Sequence, residues 1–339
     1  KSSLIPDKQW IKIDFTDVVN IIKFMDQNPD FKYVIPEIVD INEVDSSPHP
    51  RPMEIGSEEE RQRQVKETDG QPITEFKGNA NPYIDYQSVD LLLSLQHPRS
   101  KGYDEMCFIV QGQCKEMLFK SAYYELYNAR LRIMDDDLPN ASLILNRCKE
   151  IIILLTRFWD VLATIRPEGF KQFRDYLNVA SGQQSFMFRH VEFILGNKNI
   201  AMASVHKNVN HVYPAILKNL ETPSLYDEVI KLLHRRGYNI SSEYLDRDWT
   251  KKYQPHESIE QAWLEIYKTP EPTNDLYLFA ELLIEFADIF ARYRFQHFTT
   301  VERILGLKPG TGGSAGVTWL KTMAEHRFFP ELWSIRTDL

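Results

Sequence analysis

The chain has 339 residues, of which 43% are hydrophobic and 12% aromatic, so it can bury a substantial core. Its 40 basic and 48 acidic residues give a net charge of −8. This balance does not favour DNA or an anionic membrane as a partner, because both bind concentrated basic surfaces. Only 14 glycines stand beside 16 tyrosines and 19 phenylalanines, which argues against a turn-rich β-sandwich.

The sequence gives several indications of cellular compartment. It contains no run of about 18 apolar residues, so no transmembrane helix is predicted. The first residues, Lys1-Ser2-Ser3, do not lead into the apolar core of a signal peptide. Cys107, Cys114 and Cys148 are odd in number and form no CxxC pair, which predicts neither a disulfide framework nor a zinc knuckle. We therefore expect a cytoplasmic protein.

Residues 1–80 differ in pattern from the rest of the chain. Residues 11–25 could form a strand or a short helix, whereas residues 45–82 are polar and include Pro48, Pro50, Pro52 and the charged patch 57–63. We expect an irregular N-terminal extension with at most one short helix in residues 1–80. Residues 81–339 form the second predicted unit.

From Tyr83 onward, apolar residues recur at three- and four-residue spacing, which predicts an all-α helical bundle. The predicted helices span residues 86–96, 104–134, 141–163, 168–178, 184–194, 225–236, 257–267 and 274–305. Asn140 is the predicted N-cap of the third helix, because it follows the breaking segment 135–139. No internal repeat is apparent.

The longest predicted helix carries a histidine on its apolar face. Its apolar stripe consists of Phe279, Leu283, Phe286, Phe290, His297, Val301 and Ile304. A lone histidine in this setting is more often a hydrogen-bonded core residue than a metal ligand. The pair His206 and His211 is poorly spaced for one helix face, so a zinc site with several ligands is not expected. A haem iron, in contrast, needs only one protein imidazole.

The glycine-rich segment 310–316 matches two motifs out of context. It fits a loose dinucleotide fingerprint and a hydrolase nucleophile elbow, but both must follow a strand, and this segment follows a long predicted helix. Two interpretations remain. The loop could wrap a polar ligand group with its backbone amides and the Thr311 hydroxyl, or it could be a helix C-cap with a long turn.

Two further residues are unusual for their positions. Arg174 shares a predicted helix face with Phe170 and Leu177, and a half-buried arginine needs an anionic partner. That partner could be a ligand carboxylate or a nearby acidic side chain in a structural ion pair. Gly112 lies inside a predicted helix, where glycine costs about 1 kcal/mol relative to alanine. It could mark a close approach of a ligand or a helix–helix contact.

Several motifs resemble those of the tryptophan 2,3-dioxygenase family. They are Tyr83-x-x-Tyr86 with Asp90-Leu91-Leu92-x-Ser94-x-Gln96, Asp104-Glu105-Met106-x-Phe108-Ile109-Val110-Gln111-x-Gln113, Phe173-Arg174-Asp175-x-Leu177, Ser181-Gly182-x-Gln184-Ser185, Arg247-Asp248-Trp249-Thr250, His297 with Arg303-Ile304-x-Gly306 and the 310–316 loop, and Phe328-Phe329-Pro330-Glu331-Leu332. The resemblance covers residues 81–339 and does not reach the first 80.

The resemblance implies an all-α homotetramer that binds haem b and uses O2. Such an enzyme inserts both oxygen atoms across the indole C2–C3 bond of L-tryptophan, giving N-formylkynurenine in tryptophan catabolism. By the same resemblance, His297 is the proximal iron ligand and Arg174 the clamp on the substrate carboxylate. Thr311 would hold the ammonium and carboxylate end of the substrate.

The remaining site assignments are also implied by the resemblance. Phe108 and Phe170 would line the indole pocket, and Ser181 would lie near the distal face of the haem. Tyr83 and Tyr86 would reach into the site of a neighbouring subunit.

The chain departs from the family pattern at the distal position, where Gly112 stands in place of a histidine. Gln183 replaces an aromatic residue and Ala315 a serine. The related indoleamine dioxygenases lack the distal histidine, so dioxygenation remains the first hypothesis. The second is a haem-dependent monooxygenase of tryptophan or a substituted relative. The third is a haem-binding or helical interaction protein without catalysis. Arg174 and Thr311 argue against it, because such a protein needs no carboxylate clamp.

Overall fold

The computed structural model describes residues 35–36, 55–76 and 81–339. In this part of the chain the regular structure is helical, with no strand. The α-helices are α1 Glu58–Glu67, α2 Pro82–Gln87, α3 Val89–Leu93, α4 Asp104–Met134, α5 Leu138–Leu162, α6 Pro167–Arg174, α7 Phe186–Ile194, α8 Ile200–Ser204, α9 Tyr213–Glu221, α10 Leu225–Arg235, α11 Glu257–Tyr267, α12 Asp275–Leu305, α13 Val317–Ala324 and α14 Pro330–Ser334. The all-α prediction is confirmed.

The centre of the fold is a layer of three long helices, in which α5 packs against both α4 and α12. Each helix contributes an apolar stripe because its buried residues recur every three or four positions. The stripe of α5 consists of Leu138, Ala141, Leu145, Cys148, Ile152, Leu155, Trp159 and Leu162. The stripe of α12 includes Phe279, Leu283, Phe286 and Phe290, as predicted.

The two halves of α4 differ in burial. Its fully buried apolar residues begin at Phe119 and continue to Ile133, where α7 and α10 also pack on the helix. In the first half only Glu105 is fully buried. The segment that carries Phe108 and Gly112 is therefore less covered by the rest of the chain than the segment that follows it.

The start of α5 corrects one prediction. The helix begins at Leu138, with Asp137 as its N-cap, and the Asp137 carboxylate accepts a hydrogen bond from the Asn140 backbone N–H at 3.3 Å. Asn140 is therefore not the cap. The prediction treated Pro139 as a breaker, but proline is tolerated in the first turn of a helix, where its missing N–H costs nothing.

A buried charged cluster fixes α12 against α7. The Arg294 Nη2 atom lies 2.9 Å from Glu192 Oε1, and Arg189 forms a second ion pair with the same carboxylate. Arg294 also donates a hydrogen bond to the His326 carbonyl at 3.1 Å. Because Arg294 lies about one turn before His297, these contacts set the rotation of the helix at the histidine.

Only some of the predictions for the N-terminal extension fall on described residues. The short helix allowed in the extension is α1, which is exposed and has no buried residue. The strand or helix predicted for residues 11–25 lies outside the described residues. No helix in the described part of the chain combines the length and apolarity needed to cross a membrane.

Candidate functional site

Aromatic side chains of α4 and α6 form one cluster. The Phe108 ring centre lies 6.0 Å from that of Phe170 and 5.2 Å from that of Phe173. Phe170 and Phe173 are buried, whereas Phe108 is partly exposed. The predicted pair Phe108 and Phe170 is therefore brought together, and Phe173 is an aromatic neighbour that the site prediction did not include.

Arg174 follows this cluster at the end of α6. Its Nη2 atom donates to the Pro309 carbonyl at 2.7 Å, which ties α6 to the segment after α12. Within the described residues it forms no ion pair, and its Nε atom is buried without a hydrogen-bond partner. The alternative of a structural ion pair is thus not supported by any described acidic side chain. The free donor suits a ligand that carries an acceptor, such as a carboxylate.

The glycine-rich loop after α12 folds onto the segment that follows α6. The Thr311 hydroxyl donates to the Ala180 carbonyl at 2.6 Å. A Cβ atom on Gly312 would lie 2.6 Å from Ser181 Cβ. Only glycine at position 312 therefore allows the two backbones to approach this closely. Gly316 has a φ of +61°, and a Cβ there would lie 2.4 Å from the Lys308 carbonyl oxygen. The loop is a compact structure with its own contacts, beyond a simple helix C-cap.

Ser181 is the N-cap of the short 3-10 helix Gly182–Gln184. Its hydroxyl accepts from the Gln183 N–H at 3.4 Å, and the Gln184 side chain accepts from the Ser181 N–H at 3.2 Å. The capping box holds Ser181 against Gly312. Arg174, Ser181 and Thr311 therefore meet at one place through contacts with the same loop.

Gly112 leaves open space on the less covered half of α4. A Cβ atom built on it would meet nothing within 4 Å apart from the helix itself. The side-chain oxygen of the preceding residue, Gln111, is buried and has no hydrogen-bond partner among the described residues. The glycine therefore does not mark a helix–helix contact, which was one of its two interpretations.

His297 stacks on an aromatic ring of α5. Its ring centre lies 4.1 Å from that of Trp159, with an angle of 10° between the planes. No described residue forms a hydrogen bond with its ring nitrogens, so it is not a hydrogen-bonded core histidine. Burial, with a smaller effect of the Lys115 charge, lowers the pKa of His297 to about 3. The imidazole is therefore neutral near pH 7, the form that binds metal ions.

Lys115 and Trp159 were not among the predicted site residues. The Lys115 Nζ atom lies 3.7 Å from the centre of the Trp159 ring, a cation–π contact. Trp159 belongs to an ordinary apolar stripe, so its sequence position gave no signal. The sequence contained a weak signal for Lys115, since it lies three residues after Gly112 and seven after Phe108, on the same side of α4.

These residues satisfy the requirements of a haem site with one histidine ligand. His297 supplies a neutral donor without a competing hydrogen bond, Trp159 an aromatic wall, and Gly112 open space. In the described ranges no group of three or more His, Cys, Asp or Glu side chains could hold a metal ion. The donor set fits a haem better than a zinc ion with several protein ligands.

Tyr83 and Tyr86 lie on α2, near the start of the helical domain. Their exposed fractions are 64% and 81%. Both side chains remain largely exposed within a single chain. They are therefore not packed against the residues around Arg174.

Comparisons with known proteins give one family. A family model described as tryptophan 2,3-dioxygenase matches residues 67–221 and 264–339. A tryptophan 2,3-dioxygenase of Burkholderia pseudomallei (strain 668) is 46% identical over 257 residues, which are 76% of this chain and 84% of that protein. A tryptophan 2,3-dioxygenase of Burkholderia mallei (strain SAVP1) is 45% identical over 257 residues. The family match spans all of the predicted site residues, from Tyr83 to Thr311.

Proposed function

Because the chain belongs to the tryptophan 2,3-dioxygenase family, we propose that it converts L-tryptophan and O2 to N-formylkynurenine. The indole C2–C3 bond breaks, each of these carbons gains one oxygen atom, and no external electrons are consumed overall. The observation that carries the proposal is the convergence of Arg174, Ser181 and Thr311 on one loop, beside the aromatic cluster of Phe108 and Phe170.

His297 is the proposed iron ligand for haem b. When bound, the ferrous haem supplies the redox chemistry that joins O2 to the indole ring. The low pKa of His297 keeps its lone pair available, and the Arg294–Glu192 ion pair holds α12 in register. The chain contributes the ligand, the orientation of the substrate and the exclusion of water.

Arg174 is the proposed clamp on the substrate carboxylate. It has a buried Nε donor without a partner, and its Nη2 atom is held by the Pro309 carbonyl. A guanidinium fixed on one side can offer its remaining donors to a carboxylate without losing much side-chain entropy. Charge-assisted hydrogen bonds of this kind are about twice as strong as neutral ones.

Thr311 is proposed to hold the ammonium and carboxylate end of the substrate. Its hydroxyl hydrogen is engaged by the Ala180 carbonyl, so its oxygen is left as an acceptor. Ser181, against the same loop, is the proposed polar residue near the distal face. Arg174 and Thr311 would then both contact the charged end of an amino acid substrate.

Gly112 is the proposed counterpart of the distal histidine, and Phe108 and Phe170 are the proposed walls of the indole pocket. The open space at Gly112 supports a pocket in which no side chain of that residue contacts the indole N–H. Substrate orientation then depends on the aromatic walls and on the carboxylate clamp.

We also propose that the chain is a homotetramer in which Tyr83 and Tyr86 enter a neighbouring site. The apolar surface of this region supports the assembly, since Leu93 and Leu95 are 69% and 55% exposed beside the two tyrosines. In the proposed division of the chain, residues 1–80 are an extension and residues 81–339 are the haem-binding domain.

The mass of the product tests the reaction. Purified protein reconstituted with haem is incubated with L-tryptophan, O2 and a catalytic amount of reductant. We expect a product heavier than tryptophan by two oxygen atoms, both labelled when 18O2 is used. A gain of one oxygen atom would instead identify a monooxygenase, and no conversion by haem-loaded protein would contradict both activities.

The ligand is tested by absorption spectroscopy. His297→Ala should lose the Soret band of bound haem while circular dichroism remains that of the wild type. A variant of the neighbouring Gln296, which is partly exposed and bonds Asp160 at 3.2 Å, is the matched control and should retain the band. A full Soret band with unchanged position in His297→Ala would contradict the assignment.

The clamp is tested by substrate pairs with and without a carboxylate. Arg174→Ala should raise the KM for tryptophan by about ten- to a hundred-fold, the loss expected for a charge-assisted hydrogen-bonded pair. Binding of tryptamine, which lacks the carboxylate, should change little. If both ligands weaken equally, Arg174 acts on the structure of the loop and not on the carboxylate.

A further inference from the structure

Lys115 is a cation that forms no ion pair with any described carboxylate. Its Nζ atom lies over the Trp159 ring at 3.7 Å, and no described carboxylate lies within 4 Å. Glu116, the next residue in the chain, attracts the ammonium and raises its pKa, but the two side chains form no ion pair within 4 Å. A cation–π contact compensates an ammonium group only in part for lost hydration. An anion supplied by a ligand would complete this environment.

The position of Lys115 connects it with the proposed iron ligand. Trp159 contacts the Lys115 ammonium and stacks on His297, so the three residues form one group that joins α4, α5 and α12. The Lys115 charge also contributes to the low pKa of His297. Burial lowers the pKa of Lys115 to about 8, which leaves the side chain mostly protonated at pH 7.

We propose that Lys115 forms an ion pair with a propionate carboxylate of the haem bound at His297. The inference rests on the proposed function, since it requires that haem. Haem b carries two propionates at the edge of its macrocycle, and carboxylates that leave water need cationic or hydrogen-bonding partners. Lys115 lies beside the proposed ligand, separated from it by a single aromatic residue.

Other cations near this group are already paired. Arg294 is bound to Glu192, and Arg157, which lies on α5 two residues before Trp159, has its Nη1 atom 3.3 Å from Asp160 Oδ2. The substrate carboxylate is a less suitable partner for Lys115. It is assigned to Arg174, which follows the aromatic residues of α6 and bonds the Pro309 carbonyl just before the 310–316 loop.

The test is a comparison of haem b with its dimethyl ester, in which both carboxylates are masked. Apoprotein is titrated with each ligand, and the two dissociation constants are read from the Soret band without any measurement of activity. We expect Lys115→Met to reduce the preference for the free acid by about ten- to a hundred-fold, as for the loss of a charge-assisted pair. Lys115→Arg, which keeps the charge, should retain most of the preference.

Lys120→Met is the matched control, because Lys120 is the other lysine of α4 and lies on a different side of the helix. It should leave the ratio of the two constants unchanged. If Lys115→Met fails to fold by circular dichroism, Lys115→Gln provides the same comparison with a polar side chain of similar length.

The outcomes separate this inference from the proposed function. Wild-type protein that binds no haem would overturn both. Wild-type protein that binds haem, with the same acid-to-ester preference in Lys115→Met, would overturn only the role of Lys115. If Lys115→Met keeps the acid-to-ester preference but binds tryptophan more weakly, the Lys115 ammonium contacts the substrate. That result would also overturn the proposal.

Discussion

Gly112 shows how a single residue can be unusual for both its helix and its family. Glycine in a helix interior costs about 0.5–1 kcal/mol relative to alanine. No neighbouring atom requires it, because a Cβ would enter open space. The helix therefore carries a destabilising residue that packing does not explain, which is the pattern expected where a side chain is excluded for a ligand.

Gly112→Ala should raise the free energy of unfolding of the apoprotein by about 0.5–1 kcal/mol, since the alanine fits and favours the helix. Urea denaturation with an unchanged slope is the measurement. A decrease in stability would show that the space beside Gly112 is occupied in the folded chain.

Gly112→His should fold and should increase kcat/KM for tryptophan dioxygenation, because the imidazole can accept a hydrogen bond from the indole N–H. Steady-state formation of N-formylkynurenine is the measurement, with Gly112→Ala as the control for helix stability. Loss of the Soret band in the histidine variant would contradict the placement of residue 112 in the distal pocket.

Arg174 and Asn140 illustrate the limits of sequence patterns at this scale. The pattern allowed Arg174 either a ligand or an ion pair, and only the fold shows that no described acidic side chain approaches it. Asn140 was assigned as a cap although Asp137 holds that position. Both depend on the local path of the backbone, which residue types alone do not specify.

At the scale of elements, helix ends are held by side chains distant in sequence. The buried Lys198 ammonium donates to the carbonyls of Asn219, Leu220 and Thr222 at 2.5, 3.1 and 2.7 Å. These groups lie at the C-terminal end of α9, where carbonyls lack helical partners and the helix dipole favours a cation. The lysine acts as a C-cap supplied from another segment.

Lys198→Met should therefore destabilise the protein by about 3 kcal/mol, because three carbonyls lose a buried charged donor. Lys207→Met, at an exposed position of the same region, should change stability by no more than about 0.5 kcal/mol. Thermal or urea unfolding of the two variants is the measurement. Equal effects would show that the carbonyls find other donors when Lys198 is removed.

At the scale of the whole molecule, buried histidines couple stability to pH. His190 is fully buried, and its Nδ1 atom lies 3.0 Å from the Asn219 amide nitrogen, which can donate only to a neutral ring. Burial, with a smaller effect of His206, lowers the pKa of His190 to about 3. The pKa of His326 is lowered as well, also chiefly by burial.

The apoprotein should lose stability as the pH falls below about 6.5, the ordinary pKa of a histidine side chain. Between that pH and about 3, the unfolded chain binds a proton that the folded chain excludes, so the free energy of unfolding decreases. His190 alone should account for about 2 kcal/mol between pH 7 and pH 5.

Urea unfolding at pH 7 and pH 5 measures this loss. His190→Gln should be less stable at pH 7 but should show a smaller change between the two conditions. The same dependence on pH in the wild type and the variant would assign the effect to other groups.

The sequence by itself determined the helical class, because apolar residues at three- and four-residue spacing require helices whatever their neighbours. It also determined the apolar stripe of α12 and the presence of one histidine on it. The tertiary structure alone decided that Trp159 stacks on His297, that Lys115 lies over Trp159, and that Ser181 contacts the 310–316 loop. Contacts between distant segments depend on how the helices pack, and periodicity within one helix contains no information about the partner across the interface.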